Sequence, residues 1–124
     1  MSQVALALNE RKKCGGQPPR AGPRHYRPKK SDAGRLELST FCIQDLAEGE
    51  KWSFLDKMIK APDDKVPARV DIDVSFIRSL LLDIDENWIP PRHVDIIGWG
   101  EQDNVQQSVR QRMSAQLIAT LREE

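Results

Sequence analysis

The sequence predicts a small α+β domain, mostly helical with one or two short strands, preceded by a disordered basic tail. Three observations carry this expectation. Eight of the 21 residues from Cys14 to Gly34 are Gly or Pro, a density typical of unfolded chain. Every aromatic residue except Tyr26 falls between Phe41 and Trp99. The later half carries apolar residues at helical spacing and only one strong run of strand formers.

The tail is placed at residues 1–35 and the domain at 36–124. Charge divides at the same point. Residues 1–35 hold nine Lys or Arg against Glu10 and Asp32, for +7, and residues 36–124 carry the balancing −7. The formal net charge of zero is thus a basic segment attached to an acidic body.

Within the body, Leu36–Phe41 alternates as a short strand or a helix entry. Ser39 or Thr40 is placed to cap a helix over 41–48 that ends near Gly49. Residues 50–60 put Trp52, Leu55, Met58 and Ile59 on one helical face, which Pro62 and the Asp63-Asp64 pair terminate. Asp73 is placed to cap a helix from Val74 to Leu82, with Phe76, Ile77, Leu80 and Leu81 as its apolar stripe. Pro90-Pro91 holds Ile89 extended. Val94, Ile96 and Ile97 make the best strand, closed by Gly98-Trp99-Gly100. Val105, Val109, Met113, Leu117 and Leu121 recur every fourth residue and predict a final amphipathic helix with Asp103 at its start and Gln106 as its capping partner.

Residues 68–82, ARVDIDVSFIRSLLL, followed by residues 90–98, PPRHVDIIG, resemble the leader before the right-handed β-helix of some bacterial pentapeptide-repeat proteins. The repeats themselves are absent. The resemblance implies a bacterial scaffold or binding role.

No fingerprint of an enzyme stands out, so the expectation is a protein without catalytic activity or cofactor. No serine sits in G-x-S-x-G, no helix carries H-E-x-x-H, and Gly98-x-Gly100 lacks the strand and helix that make a phosphate loop. The remaining enzymatic option is metal-dependent phosphoryl transfer by Asp83, Asp85 and Glu86. Asp71 and Asp73 stand at the far end of a helix roughly 14 Å long and read as caps. Asp83, Asp85 and Asn87 imitate a calcium loop, but Trp88 and Val94 occupy its Gly and Glu positions. Cys14, Cys42, His25 and His93 lack the spacing of a zinc site, and the two cysteines are expected to remain unbridged.

The functional expectation is a small binding or adaptor protein. Arg11, Lys12, Lys13, Arg20, Arg24, Arg27, Lys29 and Lys30 would neutralise phosphates of nucleic acid without reading its sequence, and Tyr26 would stack on an unpaired base. The alternative is a protein–protein module, homodimeric through residues 103–122, with Trp99, Val105, Val109, Met113 and Leu117 as its contact face. No apolar run nears the roughly 18 residues of a membrane span, and Val4–Leu8 is too short for a signal peptide. A cytoplasmic location without membrane attachment is expected.

Overall fold

The run Val4-Ala5-Leu6-Ala7-Leu8 is the seed of the architecture. It lies within strand β1 (Gln3–Leu8), where Val4, Ala5, Leu6 and Leu8 are buried. A strand covered on both faces needs apolar residues without alternation, and this one has them. The computed structural model describes residues 1–9, 14–59 and 65–123.

Two short strands follow, β2 (Cys14–Gly15) and β3 (Arg20–Ala21), which pair as a separate ribbon. A 3₁₀ turn at Pro23–Tyr26 leads into β4 (Lys29–Lys30) and β5 (Leu36–Phe41). Helix α1 is Glu48–Ile59, β6 is Ala68–Asp73, α2 is Val74–Ser79 and β7 is Asp83–Asp85. β8 (His93–Ile97), α3 (Asp103–Gln116) and β9 (Ala119–Leu121) complete the order.

The main sheet runs β7-β8-β5-β1-β6-β9, with β4 also paired to β5, and every pairing is antiparallel. β1 and β6 match over six residue pairs, from Gln3 opposite Asp73 to Leu8 opposite Ala68. One side of the sheet presents Val4, Leu6, Leu38, Val70, Ile72, Val94 and Ile96 to Tyr26, Ile77, Met113 and Leu117. The other side sets Ala5 and Phe41 against Trp52 and Leu55 of α1. Buried Arg69 anchors α1 across this second layer. Its guanidinium lies 2.8 Å from Glu48, 3.0 Å from Asp71 and 4.6 Å from the Trp52 ring centroid.

The expectation of a mostly helical domain behind a disordered tail is corrected here. Among the described residues, three α-helices accompany a seven-stranded antiparallel sheet, so the fold is a sheet-rich α+β. Residues 1–9 form a central strand, and residues 14–35 pack on the body. Pro19 O accepts a 2.9 Å hydrogen bond from Ala119 N, and Ala21 O a 2.7 Å bond from Ser114 Oγ. Tyr26 is wholly buried. Glycine and proline here build tight turns against a partner surface, which composition does not separate from disorder.

Smaller differences have local causes. Leu36–Phe41 is strand throughout, and Thr40 Oγ1 donates to Val94 O at 2.7 Å across the ladder rather than capping a helix. Residues 42–47 are not helical. Asp73 occupies the start of α2, but its carboxylate accepts from Gln3 Nε2 at 3.4 Å instead of from the helix. The fourfold apolar stripe outlasts its helix. α3 ends at Gln116, Leu117 is extended, and Leu121 enters β9, where the open edge of β6 supplies backbone partners. The expected helix at 50–60 agrees with α1 through Ile59, and the strand around Val94–Ile97 agrees with β8.

Two measurements follow. Residues 36–124 alone lack β1 and are expected to show no cooperative urea transition. Tyr26→Ala should cost about 3–5 kcal/mol, as other large-to-small aromatic truncations do. The buried Tyr26 hydroxyl makes no hydrogen bond among the described residues, so Tyr26→Phe should match or exceed the parent in the same experiment.

Candidate functional site

The face of the sheet that α1 covers at Ala5 and Phe41 turns polar farther along. Side chains alternate along a strand, so Glu37, Ser39 and Phe41 share one face of β5. The register Ser39 opposite Asp95 and Phe41 opposite His93 puts His93 and Asp95 on that same face. Asp85 opposite Asp95 extends the row to β7.

These groups form a hydrogen-bonded chain. Ser39 Oγ lies 2.7 Å from His93 Nε2, and His93 Nδ1 lies 2.7 Å from Asn87 Oδ1. Asn87 Nδ2 donates to Asp95 Oδ2 at 2.9 Å. Asp95 Oδ1 is 3.3 Å from His93 Nε2. Ser39 is exposed and His93 half-buried, while Asp95 is buried. The Phe41 ring meets the His93 ring edge-on with centroids 5.5 Å apart.

Arg35 organises the acidic end. Its Nη2 lies 2.5 Å from Glu37, 2.8 Å from Asp85 and 3.9 Å from Asp95. The Arg35 hydrogen bond holds the Glu37 carboxyl below its ordinary pKa. Burial, reinforced by the neighbouring Glu37, pushes Asp95 above its ordinary value. The protein therefore keeps two adjacent carboxyls by making Glu37 the better anion and giving Asp95 the higher proton affinity.

Beside this row runs a groove of about 600 Å³. Arg24, Arg27, Lys29 and Lys30 give it a cationic wall, and Glu37, Ser39 and Asp95 also line it. A tight β4–β5 hairpin builds it. Ser31 N donates to Arg35 O and Gly34 N to Ser31 O, both at 2.8 Å, with Gly34 in the left-handed region at φ 85°. This turn sets Lys29 directly opposite Glu37.

Of the cations expected to meet phosphate, Arg24, Arg27, Lys29 and Lys30 are exposed and brought together. Arg20 is half-buried, with Nη1 3.4 Å from Leu117 O. Arg11, Lys12 and Lys13 lie outside the described residues. Tyr26 is corrected from base-stacking residue to core anchor, because its ring is buried.

The expected partner face is corrected too. Met113 and Leu117 are buried in this chain's own core, and Val109 packs against it. Trp99 is buried, and its Nε1 donates to Ile96 O at 2.9 Å. Of these residues only Val105 is well exposed. The acids expected to hold a metal are dispersed into other roles. Asp83 accepts from Arg78 Nε at 3.4 Å and from Ile84 N at 2.9 Å, Asp85 pairs with Arg35, and Glu86 is exposed. Among the described residues no three His, Cys, Asp or Glu side chains are grouped to hold a metal. Cys14 and Cys42 are not joined in a disulfide.

Sequence reasoning missed Ser39, Asn87 and Asp95 as a group. The available signal was alternation, since LELSTF puts Glu37 and Ser39 on one face and HVDII does the same with His93 and Asp95. Their partnership depends on strand register.

No family model matches the chain, and neither a curated protein nor a solved structure does. Among the described residues, no helix is long and apolar enough to cross a membrane.

Asp95 provides a pH test. Its folded pKa is raised, so the folded state holds more protons than the unfolded chain from about pH 4 upward. Its contribution to stability is thus lost as pH rises through that window. Asp95→Asn can still accept from Asn87 and also donate to Glu37. Urea titrations should find the variant more stable than the parent at pH 7, with the gap closing toward pH 4.

Proposed function

We propose that this chain is a small nucleic-acid-binding protein that grips the phosphate backbone through the wall formed by Arg24, Arg27, Lys29 and Lys30. The observation that carries this reading is the gathering of four exposed cations along one groove, on a segment pinned by the buried Tyr26. Unlike cations on a loose tail, these are held in place before binding, so little ordering entropy opposes contact. The ion pairs of the described residues engage Arg35, Arg69, Arg78, Arg92 and Arg122, and leave Arg27, Lys29 and Lys30 at the surface.

The rest of the chain supports the same footprint by opposition. The excess of acids in residues 36–124 repels a polyanion and leaves the cationic wall as the favourable approach. Cations on phosphate position a nucleic acid without reading bases, and a buried Tyr26 offers no stacking platform. Binding is expected to be independent of sequence.

Fluorescence anisotropy with a labelled duplex across a salt series tests the reading. Four phosphate contacts give a log–log slope of about −3 to −4, and further cations steepen it. Lys29→Ala combined with Lys30→Ala should make the slope shallower by about 2. No binding at low salt, or an unchanged slope in the double variant, would sink the proposal.

A further inference from the structure

The loop from β7 to β8 is held in an expensive shape around His93. Trp88, next to Asn87, has φ 58°, and Arg92, next to His93, has φ 64°. Side chains of this size rarely adopt the left-handed region, and they persist there only where neighbours over-determine the backbone. The neighbours are visible. Trp88 N donates to His93 O at 2.9 Å, and His93 N to Pro90 O at 3.0 Å. The Arg92 guanidinium is fastened to Asp45 at 2.6 Å and to Cys42 O at 3.1 Å. The outcome is that Asn87 meets His93 at one defined point.

Hydrogen-bond direction then assigns the ring. Asn87 uses Nδ2 as donor to Asp95, so the atom it turns to His93 is its carbonyl oxygen. His93 Nδ1 must therefore carry the hydrogen. In the neutral ring Nε2 is left with its lone pair, and the group facing it at 2.7 Å is the exposed Ser39 hydroxyl. A hydroxyl donating to an imidazole whose other nitrogen is held by an acceptor is the arrangement that generates a serine nucleophile.

We propose that Ser39 and His93 are the catalytic residues of an acyl-transfer site, with Asn87 as positioning residue, and that the substrate is a carboxylic ester whose alcohol bears a phosphate. Ser39 Oγ attacks the ester carbonyl carbon while its proton passes to His93 Nε2. The carbon–oxygen bond to the alcohol breaks, and the alcohol departs with that proton. Water then attacks the acyl-serine and gives its proton to His93. The acid leaves, and Ser39 recovers the proton. Asp95 Oδ1, 3.3 Å from Nε2, faces the positive charge that the ring holds between these transfers. The cationic wall shares the groove with Ser39 and is placed to take the phosphate. Only this preference for a phosphate rests on the nucleic-acid reading; the nucleophile stands without it.

The first experiment uses the full chain and a neutral alkyl fluorophosphonate, followed by intact mass and peptide mapping. One adduct per chain is expected, on Ser39, at a rate that rises with pH as base-assisted attack requires. Ser39→Ala removes an exposed hydroxyl and should leave the fold intact and unlabelled. His93→Gln should slow labelling by about 100-fold or more. Asn87→Ala should slow it and shift the midpoint of its pH profile, which a merely structural loss would not do. A chain left unlabelled, or a Ser39 that labels at the same rate in His93→Gln, overturns the proposal.

The second experiment compares hydrolysis of 3′-O-acetyladenosine 5′-monophosphate with that of 3′-O-acetyladenosine. The phosphate should raise kcat/KM about tenfold, and Lys29→Ala with Lys30→Ala should erase the difference. Equal rates on the two esters with Ser39 still labelled would overturn the substrate class. Loss of duplex binding with labelling intact would count against the nucleic-acid reading alone.

Discussion

β1 is hydrogen-bonded along both edges, to β6 over six residue pairs and to β5 at Ala5 opposite Phe41. It joins the two halves of the sheet and places side chains in both hydrophobic layers. Val4, Leu6 and Leu8 point into the layer with α2 and α3, and Ala5 into the layer with α1. Small residues at 5 and 7 let α1 approach this side closely enough for Trp52 to lie over the Arg69 guanidinium. The remaining structure depends on this strand, because β5 and β6 have no other element joining them in the sheet order.

The segment after β1 inherits its position from that arrangement. Tyr26 fills the α3 side of the core, Ser114 of α3 holds the Ala21 carbonyl, and Ala119 of β9 holds that of Pro19. Four of the cations that composition assigns to a loose arm, Arg24, Arg27, Lys29 and Lys30, become a wall of one groove. Their value changes accordingly. A mobile arm adapts to any polyanion at an entropic cost, whereas a wall beside a groove favours a phosphate presented in one place. The same packing withdraws Tyr26 from solvent, and burial beside Cys14 raises its phenol well above the ordinary value, so it stays neutral.

The polar face of β5, β8 and β7 follows a different logic. Three carboxyls sit within reach of one guanidinium, and a sheet that buried them without compensation would be costly. Arg35 holds Glu37 and Asp85, and Asp95 meets its share through Asn87 and a raised proton affinity. The loop carrying Trp88 and Arg92 in left-handed conformations completes the network, so backbone cost and charge cost fall in the same small region. That coincidence is characteristic of places where a protein is shaped for chemistry rather than for stability.

By itself, the sequence determined what local pattern determines. The spacing of Trp52, Leu55, Met58 and Ile59 required a helix, and Val94, Ile96 and Ile97 required a strand. The division of charge between residues 1–35 and 36–124 was plain in the chain. Tertiary structure decided the rest. Val4–Leu8 has no alternation because both its faces are covered, and a five-residue apolar run does not announce what covers it. β7, β4 and β9 are two or three residues long and exist because a neighbouring strand offers hydrogen bonds. The last apolar stripe divides between α3 and β9 because the edge of β6 competes for its backbone. Ser39, Asn87 and His93 are separated by up to 54 residues and meet only through the register of β5 with β8. Register is a property of paired strands, and a shift of one residue would have sent Ser39 to the opposite face.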